Sequence, residues 1–197
     1  MIYREATLKD AEGMANLYKI DFWQHILSFR GQLSKPKKIE KEIKCRKKKW
    51  LLVENDSNII GCSAIEVFDW NKGAEFQRFV TKKEMRGNGI AKEMCRTLIF
   101  DVAQPIGVKY GFAWARAQEY GMQNVLEYCG FTPKGFDFPF YVNHNGREVR
   151  ENFVYYSRPL NGGEKELESF DNLTPAVKAI KDAIEKYSGE YGHRNKD

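Results

Sequence analysis

The sequence is poor in histidine and has no closely spaced cysteines, and both absences argue against a metal centre. It contains only three histidines, and none stands in the H-x-x-x-H or H-E-x-x-H spacing of metallohydrolases. Its four cysteines lie far apart, without the C-x-x-C pairs of a structural zinc site or the density of a disulfide framework. We therefore expect reduced thiols, a cytoplasmic location and no bound metal.

Long apolar runs are also missing from the sequence. No stretch approaches the roughly 18 apolar residues that a membrane span requires. Residues 1–5 include acidic and basic side chains and lack the apolar core of a secretion signal. We expect neither a membrane partner nor secretion. The content of 42% hydrophobic and 14% aromatic residues argues against disorder, and a chain of this length buries a core without disulfides.

Basic residues outnumber acidic ones by five, and the excess is concentrated in one segment. Residues 35–49 hold nine basic and two acidic residues, a net charge of +7, which leaves −2 for the rest of the chain. Ile39 and Ile43 give this segment the buried stripe of an ordinary helix. No aromatic residues interleave with the lysines to stack on bases. We expect the segment to face solvent or attract a polyanionic cofactor, and we expect no nucleic-acid partner.

Hydrophobic periodicity predicts a chain that mixes strands and helices. Strands are predicted over 2–8, 50–54, 59–68, 74–81, 110–117, 136–143 and 148–158. Helices are predicted around 14–18, within 22–32, and over 36–49, 89–102, 122–129 and 173–187. After Pro159 the composition changes, and an Asn-Gly-Gly run is typical of a linker. We predict one domain over 1–160 and a tail with one helix over 161–197.

The most informative segment is a glycine-containing turn between the strand at 74–81 and the helix at 89–102. Two glycines, Gly87 and Gly89, leave backbone N–H groups unobstructed at a helix N-terminus, where the helix dipole attracts phosphate. The turn is not a dinucleotide fingerprint, because Lys92 occupies the position of the last glycine, and no G-K-[ST] of a P-loop occurs. On the glycines alone, a tight structural turn remains an alternative to phosphate binding.

The same turn carries the R-x-x-G-x-A signature of the GNAT superfamily of N-acetyltransferases, which the chain resembles, at Arg86, Gly89 and Ala91. Further matches to the family follow in chain order over about residues 2–160. They are Arg4, Ala6, Thr7, Asp10, Gly61, Phe79, Val80, Gly130 and Phe131. The resemblance implies the GNAT fold, an α/β (α+β) architecture with a mixed, mostly antiparallel central sheet of six to seven strands flanked by helices. Residues 161–197 would add a C-terminal helical extension.

The resemblance implies acetyl transfer from acetyl-CoA to a primary amine, without a metal. In the family this turn grips the pyrophosphate of acetyl-CoA, which implicates Arg86, Gly87, Asn88, Gly89, Ile90 and Ala91. By the same resemblance, the N–H of Phe79 would polarise the acetyl carbonyl, and the main chain of Val80 would bond to pantetheine. Lys92 would approach a CoA phosphate, although a solvated lysine is equally consistent with its position.

Acetyl transfer also needs a general base and a general acid, and the resemblance indicates a candidate residue more clearly for the base than for the acid. Glu75 stands eleven residues before Arg86, where some family members carry a glutamate general base; its alternative is a solvated residue at a strand entrance. Many relatives place a tyrosine acid where this sequence has Leu126. Tyr120 and Tyr128 are the remaining candidates for the acid, and release of the thiolate without a protein acid is the alternative.

The acceptor is less well defined than the donor. A faint similarity to β-lysine N-acetyltransferases over 119–131 favours a small-molecule primary amine. Phe136, Phe138 and Phe140 alternate and would share one face, either as a wall of the acceptor pocket or in the core. A protein lysine or N-terminus is the alternative acceptor, and a non-catalytic domain that binds acyl-CoA or RNA is the alternative function. The tail helix could pack on a second subunit to form a homodimer.

Overall fold

A seven-stranded sheet forms the centre of the computed structural model, which describes residues 1–22, 24–136, 139–168 and 172–191, with no side chains described for 188–191. The strands are β1 (Ile2–Glu5), β2 (Lys48–Asn55), β3 (Asn58–Phe68), β4 (Gly73–Thr81), β5 (Tyr110–Arg116), β6 (Thr132–Phe136), β7 (Phe140–His144), β8 (Arg147–Glu151) and β9 (Phe153–Pro159). Seven pair in the order β1-β2-β3-β4-β5-β9-β6, and β7 and β8 form a separate hairpin. The described pairs are antiparallel except β4–β5, which confirms the predicted mixed, mostly antiparallel sheet.

Helices cover both faces of this sheet. They are α1 (Ala11–Asp21), α2 (Ile26–Phe29), α3 (Pro36–Lys44), α4 (Ile90–Thr97), α5 (Tyr120–Tyr128) and α6 (Pro175–Tyr191). Alternation along β2 divides the core: Leu52 packs with α1 and α3, and Val53 packs with α4 and α5. Each such fully buried side chain contributes about 1.5–3 kcal/mol to folding. Within the described ranges, no helix has the length and apolarity that crossing a membrane would require.

Three predicted elements end or break earlier than expected. The strand predicted over 2–8 ends at Glu5, because the chain forms a helical turn over Leu8–Asp10. The helix predicted over 36–49 ends at Lys44, because Lys48 already pairs with Glu66 in the sheet. The strand predicted over 148–158 breaks at Asn152, since β8 pairs with β7 while β9 inserts between β5 and β6. The strand predicted over 136–143 is replaced by the end of β6 and by β7, and residues 137 and 138 between them lie outside the described ranges.

The parallel pair β4–β5 opens a gap in the sheet. Pairing runs from Gly73 opposite Tyr110 to Phe76 opposite Ala113 and stops there. Both strands continue, β4 to Thr81 and β5 to Arg116. Beyond the paired residues the two strands therefore diverge, and the backbone groups on that edge of β4 have no partner strand.

A bulge in β4 lies at the edge of this gap. Cys62 pairs with Val80 but Ala64 pairs with Gln77, so β4 contains one more residue than β3 over this interval. Arg78, with a φ of 62°, adopts the left-handed conformation that the bulge requires. The hydroxyl of the buried Tyr18 donates a hydrogen bond of 2.5 Å to the Arg78 carbonyl and fixes the peptide group that carries the Phe79 N–H.

The β7–β8 hairpin docks on the segment between α1 and α2. The N–H of Asn143 donates to the carbonyl of Gln24 at 2.8 Å, and His25 forms a β-bridge with Val142. Arg30 adds an ion pair with Glu148, at 2.6 Å between Nη2 and Oε2. The hairpin thereby covers one end of the gap between β4 and β5.

A polar cluster joins β1, β2 and the start of α1, and it carries a prediction about stability. The Arg4 guanidinium binds Asp10 at 2.7 Å and Glu54 at 2.6 Å, and it holds the pKa of the mostly buried Asp10 carboxyl at about 2, below its ordinary 3.8. Because the folded-state pKa is depressed, this stabilisation is complete above the ordinary pKa and disappears as pH falls through 2. We expect Asp10→Asn to lower the free energy of unfolding at neutral pH by about 1–3 kcal/mol. Urea unfolding of the wild type and the variant at several pH values should show their difference in free energy of unfolding shrinking towards zero as pH approaches about 2, the folded-state pKa of Asp10. A difference that stays constant with pH would contradict this account.

Candidate active site

A cleft of about 1140 Å³ occupies the gap where β4 and β5 diverge. Its walls come from the end of α1 and the segment that follows, from β4 after the bulge, from the glycine turn and from the start of α5. Residues 140 and 141 of the hairpin close one end. The volume exceeds the roughly 300–1,000 Å³ of ordinary small-molecule pockets, which leaves room for two substrates.

The glycine turn forms the other end of the cleft, at the N-terminus of α4. Gly87 and Gly89 have φ values of 85° and 77°, and an added Cβ at either would meet nothing within 4 Å. Gly89 is the N-cap of α4 and offers no side chain to the first N–H groups of the helix. Those N–H groups have no partner within the helix. The open backbone, the free donors and the helix dipole together suit a pyrophosphate.

The side chains of Arg86, which borders the cleft, and Asn88, which does not, support the shape of the turn by bonding to backbone carbonyls. Arg86 donates from Nε to the Thr81 carbonyl at 3.1 Å and from Nη2 to the Asp21 carbonyl at 2.8 Å. Asn88 donates to the Met85 carbonyl at 3.1 Å and does not border the cleft. Their side chains tie the turn to the ends of β4 and α1, so phosphate contacts would come mainly from the backbone.

The backbone of β4 presents donors to the cleft. The Lys82 N–H donates to the Ile60 carbonyl of the neighbouring strand at 2.8 Å. Because successive N–H groups of a strand point to opposite edges, the N–H groups of Phe79 and Thr81 face the cleft and that of Val80 faces β3. The structure thus places the predicted Phe79 donor at the cleft, whereas the Val80 N–H points away from it.

Glu75 borders the cleft on β4, directly across the sheet from Glu66. Partial burial raises the pKa of the Glu75 carboxyl, and the nearby Glu66 raises it further, against the opposing charges of Arg78 and Lys48. No described residue donates a hydrogen bond to the carboxylate of Glu75. A carboxylate that is half-buried, unpaired and raised in pKa is suited to accept a proton.

The two candidate tyrosines lie outside the cleft. Tyr120 is 78% exposed at the start of α5, and Tyr128 lies at the far end of that helix. Lys92 does border the cleft, and its ammonium lies 4.2 Å from the centre of the Tyr128 ring. Leu126, at the position of the family's tyrosine, is fully buried in the core. The positions of Tyr120 and Tyr128 give no support to either tyrosine as the acid. Residues of a helix share one face only when they are three or four positions apart, and neither tyrosine is among the residues of α5 that border the cleft.

The hairpin end of the cleft is lined by aromatic and charged groups, of which the sequence indicated only Phe140 as a candidate. Phe22, His25, Trp114, Arg116, Phe140 and Phe153 border it. Of the three alternating phenylalanines, Phe140 lines the cleft, Phe136 is 63% exposed and does not, and Phe138 lies outside the described residues. Arg116 is the last residue of β5, the strand that diverges from β4. This position at a strand end is the one feature of the sequence from which its place in the cleft could have been inferred.

The basic segment does not contribute to the cleft. None of residues 35–49 borders it, and seven of their cationic side chains are exposed: Lys35, Lys37, Lys38, Lys41, Lys44, Arg46 and Lys47. Lys48 is largely buried and pairs with Glu42 at 2.6 Å. Of the two alternatives that the sequence offered, this placement favours a solvated face over a cofactor funnel.

Comparison with known proteins agrees with this arrangement. The sequence model described as the acetyltransferase (GNAT) family matches residues 13–131. Among solved structures, a ribosomal-protein-alanine N-acetyltransferase from Brucella melitensis superimposes with a TM-score of 0.69 at 17% identity, covering 81% of this chain and 100% of the other. Mutant forms of the spermidine/spermine N-acetyltransferase SpeG from Vibrio cholerae superimpose with a TM-score of 0.63 at 19% identity, covering 85% of this chain and 99% of the other. An N-acetyltransferase from Staphylococcus aureus superimposes with a TM-score of 0.65 at 16% identity, covering 81% of this chain and 98% of the other. No curated protein sequence matches the chain significantly.

Proposed function

Because this chain belongs to the acetyltransferase (GNAT) family, we propose that it transfers the acetyl group of acetyl-CoA to a primary amine of a small molecule. One observation carries the proposal: a single cleft brings together the open glycine turn, the outward N–H of Phe79 and the unpaired carboxylate of Glu75. These are respectively an anion cradle, a donor for a carbonyl oxygen and a base. Acetyl transfer to an amine requires all three.

The cofactor end is assigned to backbone groups. Gly87, Gly89 and the N–H groups of residues 90–92 would hold the pyrophosphate, with Lys92 near enough to the cleft to pair with a phosphate. The pantetheine arm would run along the free edge of β4, where we now favour the Thr81 N–H over that of Val80. Acetyl-CoA supplies the activated thioester.

Glu75 is assigned as the general base. It would take a proton from the acceptor ammonium, directly or through water, so that the amine nitrogen can form a bond to the acetyl carbon. The Phe79 N–H would donate to the carbonyl oxygen as negative charge develops there. The carbon–sulfur bond then breaks and CoA leaves as a thiolate. The remaining extra proton on the new amide nitrogen passes to that thiolate or to water, so we assign no protein acid.

The docked hairpin favours a small acceptor over a lysine on a folded protein. It covers the acceptor end through the Asn143–Gln24 hydrogen bond and the Arg30–Glu148 ion pair, and so it narrows access from outside. A protein N-terminus is the second candidate, since ribosomal-protein-alanine N-acetyltransferases are among the similar folds. A short N-terminal peptide tested beside small amines would distinguish the two.

Calorimetric titration with acetyl-CoA tests the donor half of the proposal. We expect saturable binding with a micromolar dissociation constant, within the usual range of enzyme substrates. Titration with dephospho-CoA, which retains the pyrophosphate, should still give binding. A flat titration at millimolar acetyl-CoA would contradict the proposal.

Burial of Glu75 and, after it, the charge of Glu66 should place the acidic limb of the pH profile. Glu75 acts as a base only when ionised, so kcat/KM should fall as pH drops through its raised pKa. Glu66→Gln removes the like charge across the sheet and should lower that pKa, which moves the acidic limb to lower pH. Glu84→Gln, an exposed change outside the cleft, serves as the control. A limb that stays in place in Glu66→Gln would contradict the assignment of that limb to a carboxylate beside Glu66.

A further inference from the structure

Arg116 is held in a fixed orientation at the acceptor end of the cleft. Its Nη2 and Nε bind one oxygen of Glu151 at 2.5 and 3.0 Å. Glu151 belongs to the hairpin, is almost fully buried and does not border the cleft. This ion pair uses one edge of the guanidinium and leaves the Nη1 edge directed elsewhere. Glu151 is thus a positioning residue for Arg116.

Arg116 borders the cleft, and its Nη1 group makes only long polar contacts. Its two neighbours, the side-chain oxygens of Gln24 and Glu119, both lie at 3.4 Å, at the outer limit of hydrogen bonding, and both residues border the cleft. Arg78 also borders the cleft, where its guanidinium bonds to Gln77 and pairs with Glu42. Because the ion pair of Arg116 with Glu119 is long, at 3.4 Å, Nη1 is the group of Arg116 that is available to donate to a ligand at this end.

His25 presents a second donor at the same end. Its Nδ1 accepts a hydrogen bond from the Leu27 N–H at 3.2 Å, so the neutral ring carries its proton on Nε2. Burial, with the nearby charges of Arg78 and Arg116, lowers the pKa of His25 to about 4, which keeps the ring neutral. Phe22 stacks on the ring at 4.7 Å and fixes its plane. No described residue accepts a hydrogen bond from Nε2.

Apolar rings surround these donors. Phe140 packs edge-on against Trp114 at 5.9 Å and against Phe153 at 4.9 Å, and all three border the cleft. The acceptor end thus combines a cationic donor, a neutral donor and an aromatic wall.

We propose that the acetyl acceptor is an amino acid with an apolar side chain, whose carboxylate is bound by Arg116 Nη1 and His25 Nε2 while the aromatic wall holds the side chain. This inference rests on the proposed acetyltransferase function and names its substrate class. Glu75 lies in the same cleft to deprotonate the amino group.

Matched substrate pairs test the proposal. Phenylalanine and phenethylamine differ only in the carboxylate, and we expect kcat/KM to be about 10–100-fold higher for phenylalanine, the range of one charge-assisted hydrogen-bond pair. Arg116→Gln should reduce that ratio at least tenfold, and His25→Phe, which keeps the stacking on Phe22, should reduce it less. Arg30→Gln is the matched control, because it cuts the other ion pair of the hairpin without bordering the cleft. It should retain the wild-type ratio.

The outcomes separate this inference from the proposed function. If Arg116→Gln fails to fold, judged by its thermal unfolding and acetyl-CoA binding, the ratio in His25→Phe decides. Phenethylamine, spermidine or a peptide N-terminus acetylated as well as phenylalanine by the wild type would overturn the carboxylate proposal and leave acetyl transfer standing. An equal loss of the ratio in Arg30→Gln would also overturn it, by showing that the hairpin's position is responsible. If acetyl-CoA neither binds nor releases thiol with any amine, the proposed function fails and this inference fails with it.

Discussion

Glu75→Gln is expected to lower kcat by about 10²–10⁴-fold, the usual contribution of a general base. Glutamine keeps the size of the side chain and its half-buried place on β4 but cannot accept the proton of the acceptor ammonium. The affinity for acetyl-CoA should stay nearly unchanged, because Glu75 pairs with Glu66 in the sheet, eleven residues before Arg86 of the glycine turn. Steady-state kinetics at saturating amine, with calorimetry for acetyl-CoA, measures both quantities.

Glu84→Gln is the matched control for this change. Glu84 lies on the exposed segment between β4 and the turn and does not border the cleft, so its substitution should leave kcat within about twofold of the wild type, as surface substitutions usually do. If Glu75→Gln retained the wild-type rate, Glu75 would be a structural residue. The proton would then have to go to another group or to water.

The second large effect is expected at the glycine turn. Gly89→Ala should weaken acetyl-CoA binding by about 10–100-fold, the cost of losing one hydrogen bond to a charged group. The added Cβ would enter open space beside the free N–H groups of α4, where the pyrophosphate must approach. The expected result is a raised dissociation constant in calorimetry and a raised KM for acetyl-CoA.

Gly107→Ala separates this loss from the strain of the substitution itself. Gly107 has a φ of 79°, close to the 77° of Gly89, and an added Cβ there also meets nothing within 4 Å. Both variants therefore bear a similar strain of about 1–2 kcal/mol. Of these two glycines, Gly89 borders the cleft and Gly107 does not, so Gly107→Ala should bind acetyl-CoA as the wild type does. Equal weakening in both variants would assign the effect to strain and remove the turn from the phosphate site.

The parts of the fold that local sequence determines were predictable. The strands at 50–54, 59–68 and 74–81 are joined by short turns, and the structure confirms them as β2, β3 and β4 with small changes at their ends. The glycine turn was recognisable because its conformation needs residues without a Cβ. The Asn143–Gly146 turn was recognisable for a related reason, since Asn145 and Gly146 both have positive φ.

The parts that depend on distant segments were not predictable. The insertion of β9 between β5 and β6 follows from pairing across more than forty residues, as between Tyr110 and Pro159, and no local pattern encodes it. The same holds for the acceptor end, where Arg116 meets Glu151 only because the hairpin folds back over the cleft. Helical spacing showed that Tyr128 was displaced from the family's position, but only the structure shows that neither tyrosine reaches the cleft.

Release of CoA thiol in the presence of a panel of amines tests the central claim most directly. The purified full chain would be incubated with acetyl-CoA and single amines that include phenylalanine, phenethylamine, spermidine and an N-terminal peptide, and free thiol would be measured over time. The account predicts thiol release that depends on a small primary amine, with formation of the N-acetylated amine confirmed by mass spectrometry. Thiol release at the rate of spontaneous hydrolysis with every amine, from a chain that is folded and binds acetyl-CoA, would contradict it.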